Sequence, residues 1–329
     1  MDANTETERG MSMGAETGTG TGTEAGGVTS AGTDTGAEPS AGGGPGTARR
    51  EPPGVAAPTP AGVGEVYDRF ARLTPEVSPH ADLHYGYWES PEDPATFEEA
   101  SARLTDLMIE KVVLSPGGHL LDVGCGIGGP AVRLARATGA EVTGITVSRE
   151  QITLATRLAE HSGLGGRVRF GYADAMALPH PDASFDAAWL LESVIHMPDR
   201  ARALREIARV VRPGGRVVLT DLCERAPLDG ERQDTVDAFF RAAEMSPMVT
   251  LDSYPELVRS AGLVLDEVLD ITDHVMRRTT QELSRRMREA REQLDATYGD
   301  DPAYQLDPAR LSDIGELGYV LVTAHRPAE

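Results

Sequence analysis

The sequence predicts a doubly wound α/β domain, with a mostly parallel sheet of seven strands and helices on both faces. Three observations carry that prediction. Strand and helix patterns alternate from 119 to 222, a glycine-rich turn joins the first of these strands to its helix, and FDAAWLLESV (185–194) has the apolar centre of a strand buried on both faces.

The elements follow in order. VGEVYDRFARL (63–73) places apolar residues at 63, 66, 67, 70 and 73, a helical stripe. HYGYWES (84–90) is an aromatic stretch in a chain that is only 5% aromatic. FEEASARLTDLMIEKVVL (97–114) is a helix ended by Pro116-Gly117-Gly118. Strands are expected at 119–124, 141–148, 167–174, 185–194 and 215–222, with helices at 128–138, 149–164 and 200–211 between them. Arg212-Pro213-Gly214-Gly215 closes the last of these helices. Beyond 223 a helical segment spans 230–262, a strand 263–272, a long charged helix 279–299, and a final strand 318–327. The last two strands read as an addition at the sheet edge.

Residues 1–60 hold 14 Gly and 11 Thr and no Trp, Tyr, Phe, Leu or Ile, so they cannot bury enough apolar surface to offset their ordering entropy. The expected organisation is a disordered tail, 1–60, followed by one domain, 61–329. The net charge is −21, of which about −16 remains without the tail, and this argues against nucleic acid or an anionic membrane as partner. Lys111 is the single lysine, so Schiff-base chemistry is not expected, and no GxxxxGK[ST] phosphate loop occurs. Two cysteines, Cys125 and Cys223, make no disulfide framework. No apolar run reaches membrane-spanning length, no Cys/His/acid spacing suggests a metal site, and a cytoplasmic location is expected.

The chemistry-bearing motifs sit at strand ends. LLDVGCGIGG (120–129) puts glycines on a strand-to-helix turn, where backbone and helix N-terminus can approach a ligand. Gly124, Gly126 and Gly129 satisfy the dinucleotide pattern formally, but GITVS (144–148) lacks the acid that pattern needs at the second strand's end, which points to another nucleotide-like ligand. Asp174, in GYADAMALP, can accept from an adenine amino group or cap a turn. FDAAWLLESVIHMPD (185–199) and RVVRPGGRVVLTD (209–221) complete the series.

With those motifs in that order, residues 63–327 resemble the class I S-adenosylmethionine-dependent methyltransferases, whose Rossmann-like fold carries a helical substrate cover, here 224–262. HYGYW and GITVS place the chain near the small-molecule group that includes tocopherol methyltransferases, the rebeccamycin sugar O-methyltransferase and the spinosyn-pathway cyclases. The resemblance implies S-adenosylmethionine as cofactor. Gly124, Gly126 and Gly128 would pass under its methionine part, and Asp122 would hold the loop or the amino group. Asp174 and Ala175 would bind adenine, and Leu191 and Glu192 would flank the sulfonium. Tyr85 and Trp88 would close over the cofactor. Thr146, Ser148 and Gln151 stand in for the usual ribose-binding acid. The sugar enzymes' histidine pair reads Ile195-His196 here, leaving His196 as candidate base with Asp221 as its partner. His84, His180 and His274 are expected at the surface or in loops. Phe239, Phe240, Met245, Met248, Val249 and Tyr254 would line the cover against a greasy organic substrate. Methyl transfer to a small hydrophobic natural product, O-methylation first, is the implied function. The alternative is a cyclase on the same fold that forms carbon–carbon bonds and keeps the cofactor as a structural ligand.

Overall fold

A computed structural model describes residues 57–77, 84–299 and 305–328. Of the expected tail, positions 1–56 lie outside the described residues, and helix α1 (Pro60–Val77) already begins at Pro60, where a proline's missing N–H costs nothing.

The sheet runs β3 (Val168–Tyr172), β2 (Glu141–Thr146), β1 (His119–Val123), β4 (Phe185–Leu190), β5 (Val211–Glu224), β8 (Leu317–His325), β7 (Val264–Asp270). The strands from β3 to β5 are parallel, and β8 is antiparallel to both of its neighbours. A two-residue strand, β6 (Val249–Thr250), pairs with the end of β5 beside this path. The chain therefore builds outward from β1 in one direction and, from β4, in the other. The crevice between β1 and β4 opens above their carboxyl ends, where such sheets hold ligands.

Successive strand residues feed opposite cores, which is why these strands read as unbroken apolar runs. Leu120, Trp189, Val218 and Leu321 face α2 (Phe97–Val112), α3 (Gly129–Thr138) and α8 (Thr272–Glu289). Leu121, Leu190, Leu219 and Val322 face α5 (Arg200–Val210) and α7 (Tyr254–Ser260). Thr96 and Glu99 close a capping box at the start of α2. Helix α4 (Arg149–His161) is capped by Ser148, whose hydroxyl accepts from the Gln151 N–H.

Three expected boundaries move. Arg212-Pro213-Gly214-Gly215 belongs to β5 as an irregularity, with the β4 register shifting between Phe185 and Ala187. Gly215 fits there because a Cβ would meet the Asp186 carbonyl at 2.5 Å. The helical segment 230–262 divides into α6 (Gly230–Ala242), β6 and α7. The charged helix starts earlier, at Thr272, and breaks at Ala290 into α8 and α9 (Arg291–Tyr298). No helix among the described residues is long and apolar enough to cross a membrane.

Candidate active site

The loop after β1 forms the floor of the site. Gly124 and Cys125 both donate their N–H to the Ile145 carbonyl, which ties the loop to β2. Gly126 has φ +53°, and nothing lies within 4 Å of where its Cβ would be, so its backbone is bare toward the space above. Gly128 does not share that role. A Cβ there would lie 2.8 Å from the Phe170 ring and 3.0 Å from Ala155, so this glycine serves the packing of α3 against β3 and α4 and does not line the site.

Above the loop is a cavity of about 400 Å³ over the carboxyl ends of β1 to β4. Asp122 lies in its floor, fully enclosed, and burial pushes its carboxyl up to about 7; Oδ2 has no hydrogen-bond partner. Thr146 donates its hydroxyl to Gln151 Oε1 at 2.7 Å, and both line the cavity. Ser148, expected beside them, is turned away. Besides capping α4, its hydroxyl donates to Asp68 on α1 at 2.5 Å, so it holds the roof and not the ligand. Asp174 and Ala175 line the far end, with Asp174 Oδ1 accepting from the Met176 N–H.

Leu191 and Glu192 follow β4. Glu192 sits at φ +54°, an uncommon conformation for a residue with a side chain. Its Oε1 accepts from the Tyr85 N–H at 2.8 Å and from the Tyr319 hydroxyl at 2.6 Å. Removal from bulk water raises its pKa, and the charge of His84 and these hydrogen bonds oppose that rise. Tyr85 stacks on Tyr319 with centroids 5.6 Å apart. Trp88 does not reach the cavity. Its indole N–H donates to the Ala95 carbonyl, and Arg278 covers its ring at 4.6 Å, which makes it part of the packing between α2 and α8.

His196 ends a short 3₁₀ turn. Its Nδ1 is 2.9 Å from the Glu244 carbonyl, so Nδ1 carries the proton and donates. Nε2 then accepts from the Tyr67 hydroxyl at 2.8 Å. Loss of solvation lowers the imidazole pKa to about 4, with the Glu244 contact raising it and Arg200 lowering it. Asp221 is not its partner. That carboxylate is buried against Arg200 Nε at 3.1 Å and the Tyr254 hydroxyl at 2.8 Å, outside the cavity lining, because the end of β5 is occupied with anchoring α5 and α7.

Two of the three histidines placed at the surface or in loops do structural work inside. His84 is buried, lines the cavity, and bonds the Tyr85 carbonyl and the Thr105 hydroxyl. His274 stacks on Tyr87 and donates to the Trp88 carbonyl. His180 is half-buried against Phe185. Of the expected cover residues, Phe239 and Met245 line the cavity. Phe240 and Met248 pack in the core, Val249 sits in β6, and Tyr254 is committed to Asp221. Sequence reasoning missed Tyr67 and Tyr319, and it missed Leu283, Met287 and Leu294 on the inner face of α8 and α9. The 3.6-residue stripe within the charged helix was the available signal for those three.

This floor fits S-adenosylmethionine. Gly126 offers open backbone, Asp122 keeps an unpaired buried oxygen, and Glu192 adds a second carboxylate, a donor set suited to a cation. A sheet in this order, parallel from β3 to β5 with β8 antiparallel, and with such a loop after β1, is the fold of the class I S-adenosylmethionine-dependent methyltransferases. Residues 121–219 match the methyltransferase domain family. A methyltransferase of Streptomyces halstedii, GfsG, is 40% identical over 267 residues, 80% of this chain and 94% of that one. The 27-O-demethylrifamycin SV methyltransferase of Amycolatopsis mediterranei is 39% identical over 282 residues, 83% of this chain and 100% of that one. Among solved structures, the 4+2 cyclase SpnF is 35% identical with a TM-score of 0.73, over 84% of this chain and 100% of that chain. The chain belongs to this methyltransferase family, and S-adenosylmethionine is its cofactor.

Proposed function

We propose that the protein methylates a hydroxyl oxygen of a small, uncharged, hydrophobic natural product in bacterial secondary metabolism, acting in the cytoplasm. The composition of the cavity wall carries this reading. Phe239, Met245, Met287, Leu294 and Leu311 converge from four separate segments, and among the described residues no lysine or arginine lines the cavity. Such a wall desolvates an apolar acceptor well and offers a phosphate or carboxylate no counter-charge. The names of the Amycolatopsis relative and its acceptor agree with this chemistry.

When bound, S-adenosylmethionine supplies an activated methyl group on a sulfonium. The protein's residues bind and orient. Gly124 and Gly126 carry the methionine part, and Asp122 and Glu192 hold its positive charge. Thr146 and Gln151 meet the ribose, Asp174 and Ala175 the adenine, and Leu191 and Tyr85 pack around the reacting end. Helix α1 excludes water, and His196 presents a neutral imidazole to the acceptor side. The region 224–262 serves as part of the substrate cover.

The cyclase reading has one specific support, the 35% identity to SpnF together with buried Ile195 in the cavity wall. One experiment separates the two. The protein is incubated with S-adenosylmethionine and a panel of acceptors, 27-O-demethylrifamycin SV among neutral alcohols and their carboxylated or phosphorylated counterparts. Methyl transfer consumes one donor per product and adds one methyl to the product mass, with neutral acceptors favoured. An isomerised product beside intact donor would overturn the methylation reading in favour of the cyclase.

A further inference from the structure

We propose that Tyr67 is a catalytic residue that relays the acceptor's hydroxyl proton to His196, a role that rests on the O-methylation reading above. The geometry fixes the direction of the relay. Glu244 occupies the Nδ1 side of the imidazole, so the lone pair is at Nε2. The Tyr67 hydroxyl occupies that lone pair at 2.8 Å, with the two rings edge-on, 5.1 Å between centroids and 84° between planes. Tyr67 itself lines the cavity, so an acceptor hydroxyl reaches the basic nitrogen through the phenol oxygen.

Tyr67 is held in place on both sides along α1. Three residues before it, Gly64 lies so close to β2's exit that a Cβ would be 2.5 Å from the Val147 carbonyl. One residue after it, Asp68 accepts from the Ser148 hydroxyl and from the Glu150 N–H. The carboxylate that could have polarised His196 directly, Asp221, is taken by Arg200 and Tyr254. Burial and the neighbouring Glu192 carboxylate hold the Tyr67 phenol well above its ordinary pKa, so it rests protonated and passes a proton on instead of standing as an anion.

The step balances as follows. The acceptor oxygen bonds to the methyl carbon as the carbon–sulfur bond of the donor breaks and its electron pair stays on sulfur. The acceptor's proton goes to Tyr67 Oη, and the Tyr67 proton goes to His196 Nε2, leaving an imidazolium whose Nδ1–H still donates to Glu244. An oxygen acquiring a methyl group is far more acidic than an imidazolium, so a base weakened by burial is still strong enough.

The test compares Tyr67→Phe, His196→Gln and the double variant with the wild type. The probe is 27-O-demethylrifamycin SV, or the best neutral alcohol of the panel, in single turnover at saturation. Each single change should slow methyl transfer by roughly 10²–10³-fold, and the double should be no slower than the worse single, because the two groups act as one unit. Affinity for S-adenosylhomocysteine, read by calorimetry, should stay within about three-fold for Tyr67→Phe. The wild-type rate should depend on deuterium fraction along a curve, two protons being in flight, and the Tyr67→Phe rate along a straight line. The phenylalanine keeps the ring contact with His196, and if that variant fails to fold, His196→Gln carries the same rate and isotope test. Unchanged single-turnover rate in Tyr67→Phe overturns the relay alone. So does a retained rate at saturation with cofactor affinity more than about 30-fold weaker, which would make Tyr67 a cofactor ligand. Isomerised wild-type product with intact donor overturns both the O-methylation reading and the relay.

Discussion

The hydroxyl of Tyr319, on the antiparallel strand β8, donates to Oε1 of Glu192 at 2.6 Å, across 127 residues of sequence. The contact aims a carboxylate into the cavity from a backbone conformation that few side chains adopt. It also links the C-terminal half of the sheet to the end of β4, where the reaction is placed.

If Glu192 balances the donor's positive charge, its loss should be felt by the cation and not by the neutral product. Glu192→Gln should weaken S-adenosylmethionine roughly ten-fold more than S-adenosylhomocysteine, as expected for one charge-assisted contact. Tyr319→Phe should weaken both by less than that, since it removes only the aim of the carboxylate. Calorimetry with the two ligands reads the difference, and equal losses would take Glu192 away from the sulfonium.

Gly126→Val should abolish cofactor binding. The backbone there has φ +53°, strained for a branched residue, and the new side chain would enter the open space above the loop. An affinity loss of about 100-fold or more for S-adenosylhomocysteine is expected, with the protein still folded by circular dichroism. Unchanged affinity would remove the loop from the site.

Asp221→Ala should act on stability alone. It strands Arg200 in a buried position, and breaking such a pair costs about 3–5 kcal/mol. Denaturant unfolding should show that loss, while affinity for S-adenosylhomocysteine in the folded fraction stays near that of the wild type. A specific loss of methyl transfer with stability intact would return Asp221 to the catalytic group.

His196 should leave a mark on the pH dependence of stability. Its folded pKa is about 4 against an ordinary value of 6.5. The unfolded chain therefore takes up a proton near 6.5 while the folded protein refuses it until about 4, so this contribution is complete above 6.5 and is lost as pH falls toward 4. The loss is at most roughly 3 kcal/mol. Wild type minus His196→Gln unfolding free energies, measured from pH 7 to 4, should fall across that window. A flat difference would mean that His196 titrates normally.

The fold was legible because each strand is an apolar run between turn residues, and glycine marks the chief functional turn. Positions that line the cavity with backbone, Gly124 and Gly126, were therefore readable. Gly128 and Ser148 were not, since whether a glycine or a serine meets ligand or neighbouring helix depends on which element crosses above it, here α1 for Ser148 and β3 with α4 for Gly128. Asp221 looked like a strand-end acid near the chemistry, but Arg200, 21 positions away in sequence, claims it. Tyr67 and Tyr319 belong to an apolar-stripe helix and a strand, and nothing local separates a core tyrosine from one whose hydroxyl points into a cavity.

Strand β8 enters the sheet between β5 and β7, although both precede it in the chain. Without β8, β5 and β7 have no shared neighbour, which leaves a gap one strand wide between two unpaired edges. Only when residues 317–325 appear can the gap close, and the same nine residues deliver the Tyr319 hydroxyl to Glu192. Completion of the sheet and arming of the site are thus a single event. A chain without these residues would hold its glycine loop but lack the partner that aims Glu192, and it would carry two unpaired strand edges open to intermolecular pairing.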